Sequence, residues 1–213
     1  MGYLTGVGRG VAKDDARAVV WYRKAAMQGH PVAMLNLGKR YQVGRGVEKN
    51  LHKAASWYEK AAAAGNLSAL SGLAWMHEHG KGGKRKNPAK ARSRYRRAAE
   101  KGNASGQYNL GLIYATGRGV AKDEREAVRW YRKAARKGEA RAMNNLGFMY
   151  EKGRGVPKDY AQAVEWYRKA AERGHARAKK RIRKLGISTP GASANKPKPK
   201  FTPGFTPEDL GKL

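Results

Sequence analysis

Apolar residues recur along this chain with the period of an α-helix, in short stretches that glycines separate. In the segment 30–65, the first apolar stripe consists of Ala33, Leu37, Gly38 and Tyr41. The run from Gly44 to Val47 then predicts a loop, because glycine adopts loop conformations readily and is unfavourable inside a helix. The second stripe consists of Ala54, Trp57, Tyr58, Ala61 and Ala62. The segment therefore predicts a helix, a loop, a second helix and a tight turn.

The residues at the predicted helix ends support this interpretation. Asn50 is placed to cap the second helix, and Gly65 follows that helix as a C-terminal cap. Asp123 and Glu126 have the spacing of a capping box at the equivalent place further along the chain. A coiled coil is excluded, because glycine interrupts every apolar stripe after about a dozen residues.

The whole pattern returns every 36 or 37 residues. The block Trp-Tyr-x-Lys-Ala-Ala begins at Trp21, Trp57, Trp130 and Trp166, and a weaker copy begins at Arg94. A fixed period of this length predicts an all-α repeat array, in which each unit buries its apolar face against its neighbours. The predicted array spans 1–186, with a partial first repeat at 1–29, repeats at 30–65, 66–102, 103–138 and 139–174, and a terminal helix at 175–186. The remaining segment, 187–213, is rich in proline and lysine and is predicted to be a disordered tail.

These motifs resemble the Sel-one-like repeat (SLR) family. The resemblance rests on Asn36-Leu37-Gly38, Tyr41, the loop from Gly44 to Val47 and the block from Trp57 to Gly65. It implies a right-handed superhelical solenoid of antiparallel helix pairs, similar to tetratricopeptide repeats. It also implies a non-enzymatic adaptor or scaffold that binds other proteins.

The charge of the chain narrows the choice of partner. Its 46 basic and 16 acidic residues give a formal net charge of +30, which favours acidic partners. We therefore expect a protein partner with an acidic segment, and the alternative is nucleic acid or another polyanion. The sequence does not identify the partner or the oligomeric state.

Other chemistry is poorly supported by the sequence. Cysteine is absent, which excludes a disulfide framework and a thiolate metal site. No catalytic residues, metal ligands or cofactor are predicted, since His77 and His79 are two residues apart and point to different helix faces. No apolar run approaches the roughly eighteen residues of a membrane span. As the chain stands we expect a cytoplasmic protein, and a periplasmic or secreted one if an upstream segment is missing, because the chain opens in mid-repeat.

The first helices carry the best candidates for partner binding. In the superhelices of the family, these helices line the concave surface. The candidates on this surface are Asn36, Asn109, Asn145, Tyr41, Tyr114 and Tyr150. The asparagine amides have the groups needed to hydrogen-bond an extended peptide or a carboxylate. The competing interpretation is that they satisfy buried carbonyls between repeats.

The third repeat departs from the pattern and carries candidates for anion binding. Its loop is one residue longer, and Arg94 stands where the other repeats have tryptophan, a position predicted to lie in the core. Either this repeat is worn and its surface has drifted towards basic residues, or it binds a polyanion or an acidic surface. The candidate anion-binding residues, including three from the terminal helix, are Lys81, Lys84, Arg85, Lys86, Arg92, Arg94, Arg96, Arg97, Lys179, Lys180 and Arg181.

Overall fold

The computed structural model describes residues 14–185, and every regular element in this part of the chain is an α-helix. The helices are α1 (Asp15–Met27), α2 (Pro31–Val43), α3 (Leu51–Ala63), α4 (Leu67–His79), α5 (Pro88–Glu100), α6 (Ala104–Thr116), α7 (Glu124–Arg136), α8 (Ala140–Lys152), α9 (Tyr160–Glu172) and α10 (Ala176–Lys184). Each helix packs against the next along the chain, so the predicted all-α repeat solenoid is confirmed. We call α2, α4, α6, α8 and α10 the first helices, and α1, α3, α5, α7 and α9 the second helices. The predicted tail, 187–213, lies outside the described residues.

The helix ends follow the same chemistry in every repeat. Each second helix begins after a side chain that accepts a hydrogen bond from the backbone N–H three residues later, at 2.8 or 2.9 Å. The capping residues are Asp14, Asn50, Asn87, Asp123 and Asp159. The first helices α2, α4, α6 and α8 end at a glycine with φ between 61° and 74°, a conformation that disfavours other residues. The cap predicted at Asn50 is thus confirmed.

In α2, α6 and α8, a glycine lies against a buried tyrosine of the following second helix, and Ala74 takes this position in α4. A Cβ atom at Gly38 would lie 2.6 Å from Cε1 of Tyr58, which is 1% exposed. At Gly147 it would lie 2.8 Å from the ring of Tyr167, and Gly111 repeats the arrangement against Tyr131. These distances are far below van der Waals contact, so in these three repeats the close approach of the two helices depends on the absence of a side chain at this position.

The tryptophans lie at the edge of this packing rather than within it. Trp21 is 42% exposed, and Trp57, Trp130 and Trp166 are half-buried. A lysine three residues later lies over each indole ring, with its Nζ atom 4.2 to 5.3 Å from the ring centroid. The prediction that the tryptophans belong to the core is confirmed only in part. Trp57 and Trp166 pack against the core, but the neighbouring tyrosine occupies the space beside the glycine.

The loop inside each repeat contacts the preceding repeat. A Cβ atom at Gly46 would lie 2.1 Å from the carbonyl oxygen of Asp15, so glycine is required for this approach. Beside it, Nε of Arg45 lies 2.8 Å from Oδ2 of Asp15. Hydrogen bonds from Arg45 and Arg40 lower the pKa of the Asp15 carboxyl. Three repeats further on, Arg154 lies 2.6 Å from Glu124 in the same way. Loop and carboxylate together connect one repeat to the next.

We predict that Gly38→Ala lowers the free energy of unfolding by about 1 kcal/mol. Alanine is the better helix former by about 1 kcal/mol, but its methyl group would overlap the buried Tyr58 ring, and overpacking of this kind costs about 1–3 kcal/mol. Urea denaturation followed by circular dichroism measures the change. Lys39→Ala, at the exposed neighbouring position, is the control and should leave stability nearly unchanged. Equal or greater stability of Gly38→Ala would contradict the role assigned to the glycine.

Candidate functional site

The asparagine row occupies one repeated position on the first helices. Asn36, Asn109 and Asn145 are all half-buried, each one residue before a fully buried leucine. The same position is Gly72 in α4 and Arg181 in α10. The row therefore runs along one face of the array, which we call the first-helix face and define by this position in α2, α4, α6, α8 and α10.

Side chains in this row face the tyrosine of the preceding second helix. Asn145 faces the Tyr131 hydroxyl, and burial raises the pKa of that tyrosine to about 12. Oδ1 of Asn145 accepts a hydrogen bond from Nδ2 of Asn144 at 3.3 Å. Nη1 of Arg181 donates to the Tyr167 hydroxyl at 2.7 Å. Asn109 instead donates from Nδ2 to the backbone carbonyl of Ser105, at 2.9 Å. An amide offers two donors and an acceptor, so each asparagine keeps capacity for a further partner.

The three candidate tyrosines of the first helices also connect neighbouring repeats. The hydroxyls of Tyr41, Tyr114 and Tyr150 each accept a hydrogen bond from an arginine of the preceding second helix. The donors are Arg23 at 3.0 Å, Arg96 at 3.1 Å and Arg132 at 2.7 Å. Tyr41 is buried, whereas Tyr114 and Tyr150 are half-buried. These hydroxyls retain a proton to donate to a ligand.

The third repeat replaces this hydrogen bond by a different set of groups. His77 takes the tyrosine position and Glu59 takes the arginine position. His77 is 7% exposed, and burial together with the nearby Arg94 lowers its pKa. Glu59 pairs with Nζ of Lys84 at 2.6 Å. Arg94 is half-buried, as are Trp57, Trp130 and Trp166 at the same position in other repeats, so it lies at the edge of the core and not within it as predicted.

The candidate anion-binding residues of this repeat differ in their contacts and in their exposure. Lys84 pairs with Glu59, Arg92 donates to the backbone carbonyl of Gly119, and Arg96 donates to Tyr114. Arg85, Lys86 and Arg97 are exposed. Lys81 lines an open cavity of about 510 Å³ between its loop and the N-terminus of α3, together with Lys49 and His52.

Lys81 lacks the carboxylate that its equivalents have. It occupies the loop position of Arg45, Arg118 and Arg154. Arg45 and Arg154 pair with Asp15 and Glu124 at the first residue of a second helix, and Arg118 pairs with Glu78. The second helix that faces Lys81 begins with Leu51, which carries no charge. Within residues 14–185, Lys81 and Lys49 form no ion pair.

A second cavity, of about 430 Å³, brings together residues from both predicted sets. It lies between α8 and α10, and its lining comprises Asn144, Asn145, Phe148, Arg177, Lys180, Arg181 and Lys184. Asn145 comes from the predicted partner-binding row, and Lys180 and Arg181 come from the predicted anion-binding set. Lys179 lies outside the lining.

Sequence comparison now places these repeats in a family. The Sel1 repeat matches residues 1–30, 31–66, 67–103, 104–139 and 140–175. The chain belongs to the Sel1 repeat family. Proteins built from Sel1 repeats are generally protein-interaction scaffolds and are typically not enzymes. A comparison with curated proteins gave no match.

Solved Sel1 repeat structures resemble this one closely. A Sel1 repeat protein from Oxalobacter formigenes is 39% identical, with a TM-score of 0.72 over 88% of this chain and 77% of that one. The antigen c5321 of uropathogenic Escherichia coli, which displays an SLR fold, is 34% identical with a TM-score of 0.64 over 88% of this chain but only 41% of its own. The immunity protein Pa5087 of Pseudomonas aeruginosa is 29% identical, with a TM-score of 0.62 over 79% of this chain and 62% of that one.

The Sel1 pattern alone missed four residues of the second cavity: Asn144, Phe148, Arg177 and Lys184. The sequence does mark Arg177 and Lys184, because these residues share the spacing of one helix face with Lys180 and Arg181. Within residues 14–185, no three His, Cys, Asp or Glu side chains cluster closely enough to hold a metal ion. No helix in the same range has the length and apolarity to cross a membrane.

Proposed function

We propose that this chain is a non-enzymatic scaffold that binds an acidic segment of a partner protein on its first-helix face. The observation that carries the proposal is the set of half-buried asparagines at one repeated position of three first helices, α2, α6 and α8. Side-chain amides at regular intervals suit the backbone of an extended segment, which offers donors and acceptors at regular intervals as well. The net charge of +30 selects acidic segments and accelerates their association.

The pairing of charges supports the acidic character of the partner. Several carboxylates of the described part are already in ion pairs with arginine or lysine, among them Asp15, Glu59, Glu78, Glu124 and Glu139. Because basic residues outnumber acidic ones almost threefold, most cations of the chain have no internal carboxylate to pair with. An acidic partner supplies the missing counter-charge.

We predict that replacing both Asn109 and Asn145 by alanine weakens binding of an acidic peptide about fivefold, since two hydrogen bonds of modest net strength are lost. Fluorescence anisotropy with a labelled octapeptide of alternating glutamate and leucine measures the affinity. The control variant carries Ser56→Ala and Ser93→Ala, at exposed positions of two second helices. A melting temperature measured in parallel separates the two roles of the row. Unchanged affinity with a lowered melting temperature would assign the asparagines to packing alone.

A second candidate function is binding of nucleic acid or another polyanion at the third repeat. The observation that favours it is the cavity beside Lys81, where the carboxylate found in equivalent places is missing and the N-terminus of α3 adds partial positive charge. Phosphate oxygens are suitable replacements for that carboxylate.

For this candidate, we predict that the double variant Lys49→Ala, Lys81→Ala weakens binding of a fluorescent oligothymidine. The slope of log affinity against log salt should become shallower by about 1, because one or two phosphate contacts are lost. The matched control is Lys122→Ala with Arg154→Ala, which removes two charges at equivalent positions that already face Glu124. Equal slopes for the two variants would mean that the cavity contributes nothing beyond general charge.

A further inference from the structure

The groove between α8 and α10 is built differently from its counterpart one repeat earlier. On α10, the lining positions are Arg177, Lys180, Arg181 and Lys184. The equivalent positions on α8 are Arg141, Asn144, Asn145 and Phe148. Three neutral residues on α8 have therefore become cations on α10, all on the side that faces the preceding first helix.

The residue before α8 carries a carboxylate, and the equivalent residue before α10 does not. On α8, Arg141 makes two hydrogen bonds to Glu139, at 2.9 and 3.0 Å, and its guanidinium lies over the ring of Tyr108. The position of Glu139 is taken by His175 before α10, and burial together with Arg177 lowers the pKa of that histidine. Arg177, Lys180 and Lys184 make no ion pair within residues 14–185. The groove thus has three free cations where the previous one has a paired arginine.

The fourth cation belongs to the frame of the groove. Arg181 donates to the Tyr167 hydroxyl at 2.7 Å and lies 3.2 Å from Oε2 of Glu151, so it is held in place and largely neutralised. Its guanidinium and that of Arg154 each lie over Phe148, 5.7 Å from the ring centroid. The opposite wall consists of Phe148 and the amides of Asn144 and Asn145. One wall is therefore cationic, and the other is apolar with hydrogen-bonding amides.

The spacing of the free cations fits an extended polypeptide. Arg177 and Lys184 are seven residues apart on α10, which corresponds to about 10 Å along the helix axis. An extended chain covers that distance in about three residues, so acidic side chains at alternate positions face the cationic wall together. The residues between them then face Phe148. Nucleic acid fits less well, since one wall of the groove carries no cation to pair with phosphate groups.

We infer that the groove between α8 and α10 binds an extended segment with alternating acidic and apolar residues, supplied by a partner protein. The carboxylates pair with Arg177, Lys180 and Lys184, the apolar side chains contact Phe148, and the amides of Asn144 and Asn145 meet the segment's backbone. This inference rests on the proposed function, and it locates the acidic segment at one end of the first-helix face.

The test compares two charge-matched variants of the same helix. Lys180→Ala with Lys184→Ala removes two free cations from the groove, whereas Lys179→Ala with Arg183→Ala removes two exposed cations from the rest of α10. Affinity for the labelled octapeptide of alternating glutamate and leucine is measured by anisotropy at two salt concentrations, alongside an oligothymidine. We expect about a fivefold loss of peptide affinity for the groove variant and less than about twofold for the other.

Each remaining outcome contradicts the inference in a different way. If both variants lose peptide affinity equally, general charge and not the groove holds the peptide. If neither loses affinity while a variant lacking Asn36 and Asn109, which lie outside the groove, does, the groove is excluded and the proposed function stands. If the groove variant loses oligothymidine binding as strongly as peptide binding, the site recognises polyanions and not a polypeptide. If the native chain binds no acidic peptide, the inference and the acidic partner both fail.

Discussion

The contact between a small residue of a first helix, which is glycine in α2, α6 and α8, and a buried tyrosine of the following second helix determines the rest of the structure. It sets the distance between the two helices, because the buried ring occupies the space that a side chain on the first helix would need. The tyrosine in turn presents its hydroxyl at the edge of the core, where it bonds to Gln42, Glu78 or Glu151 of the first helix. The third repeat keeps the arrangement with Ala74 and Tyr95 in one buried cluster.

Polar contacts then join one repeat to the next, and most of them use a cation. Arginines of the second helices donate to Tyr41, Tyr114 and Tyr150, and loop arginines pair with carboxylates of the preceding repeat. A basic repeat protein follows naturally from this construction, since each repeat needs such cations. The functional candidates arise where a repeat retains the cation and loses the carboxylate. Lys81 faces Leu51 in this way, and Arg177 follows His175.

Much of the fold follows from the sequence because it depends on local rules that recur in every repeat. Helix caps such as Asn50, loop glycines and the apolar stripes are all determined by neighbouring residues, and a period of 36 or 37 residues repeats the information several times. The choice between Trp57 and Tyr58 for the core was harder, because adjacent residues on a helix both lie near the apolar stripe. Only the close approach at Gly38 decides it in favour of the tyrosine.

The candidate sites were less accessible to sequence reasoning. Asn145, Lys180 and Arg181 were each identified, but in separate sets, since their meeting across the α8–α10 groove depends on how neighbouring repeats stack. Phe148 occurs at a position with no conserved character in the other repeats, so nothing in the pattern marked it as part of a binding surface. The sequence likewise does not predict the hydrogen-bond partners of Lys84, Arg92 and Arg96, because these partners come from neighbouring repeats.

The most direct measurement is hydrogen exchange of the chain with and without the acidic peptide. The account predicts slower exchange of backbone amides in α8 and α10 when the peptide is bound, because occupation of their groove suppresses local opening of both helices. Exchange in α3 and α5, around the basic loop of the third repeat, should be unchanged. Protection confined to residues 81–97, or an identical pattern with and without the peptide, would contradict the account.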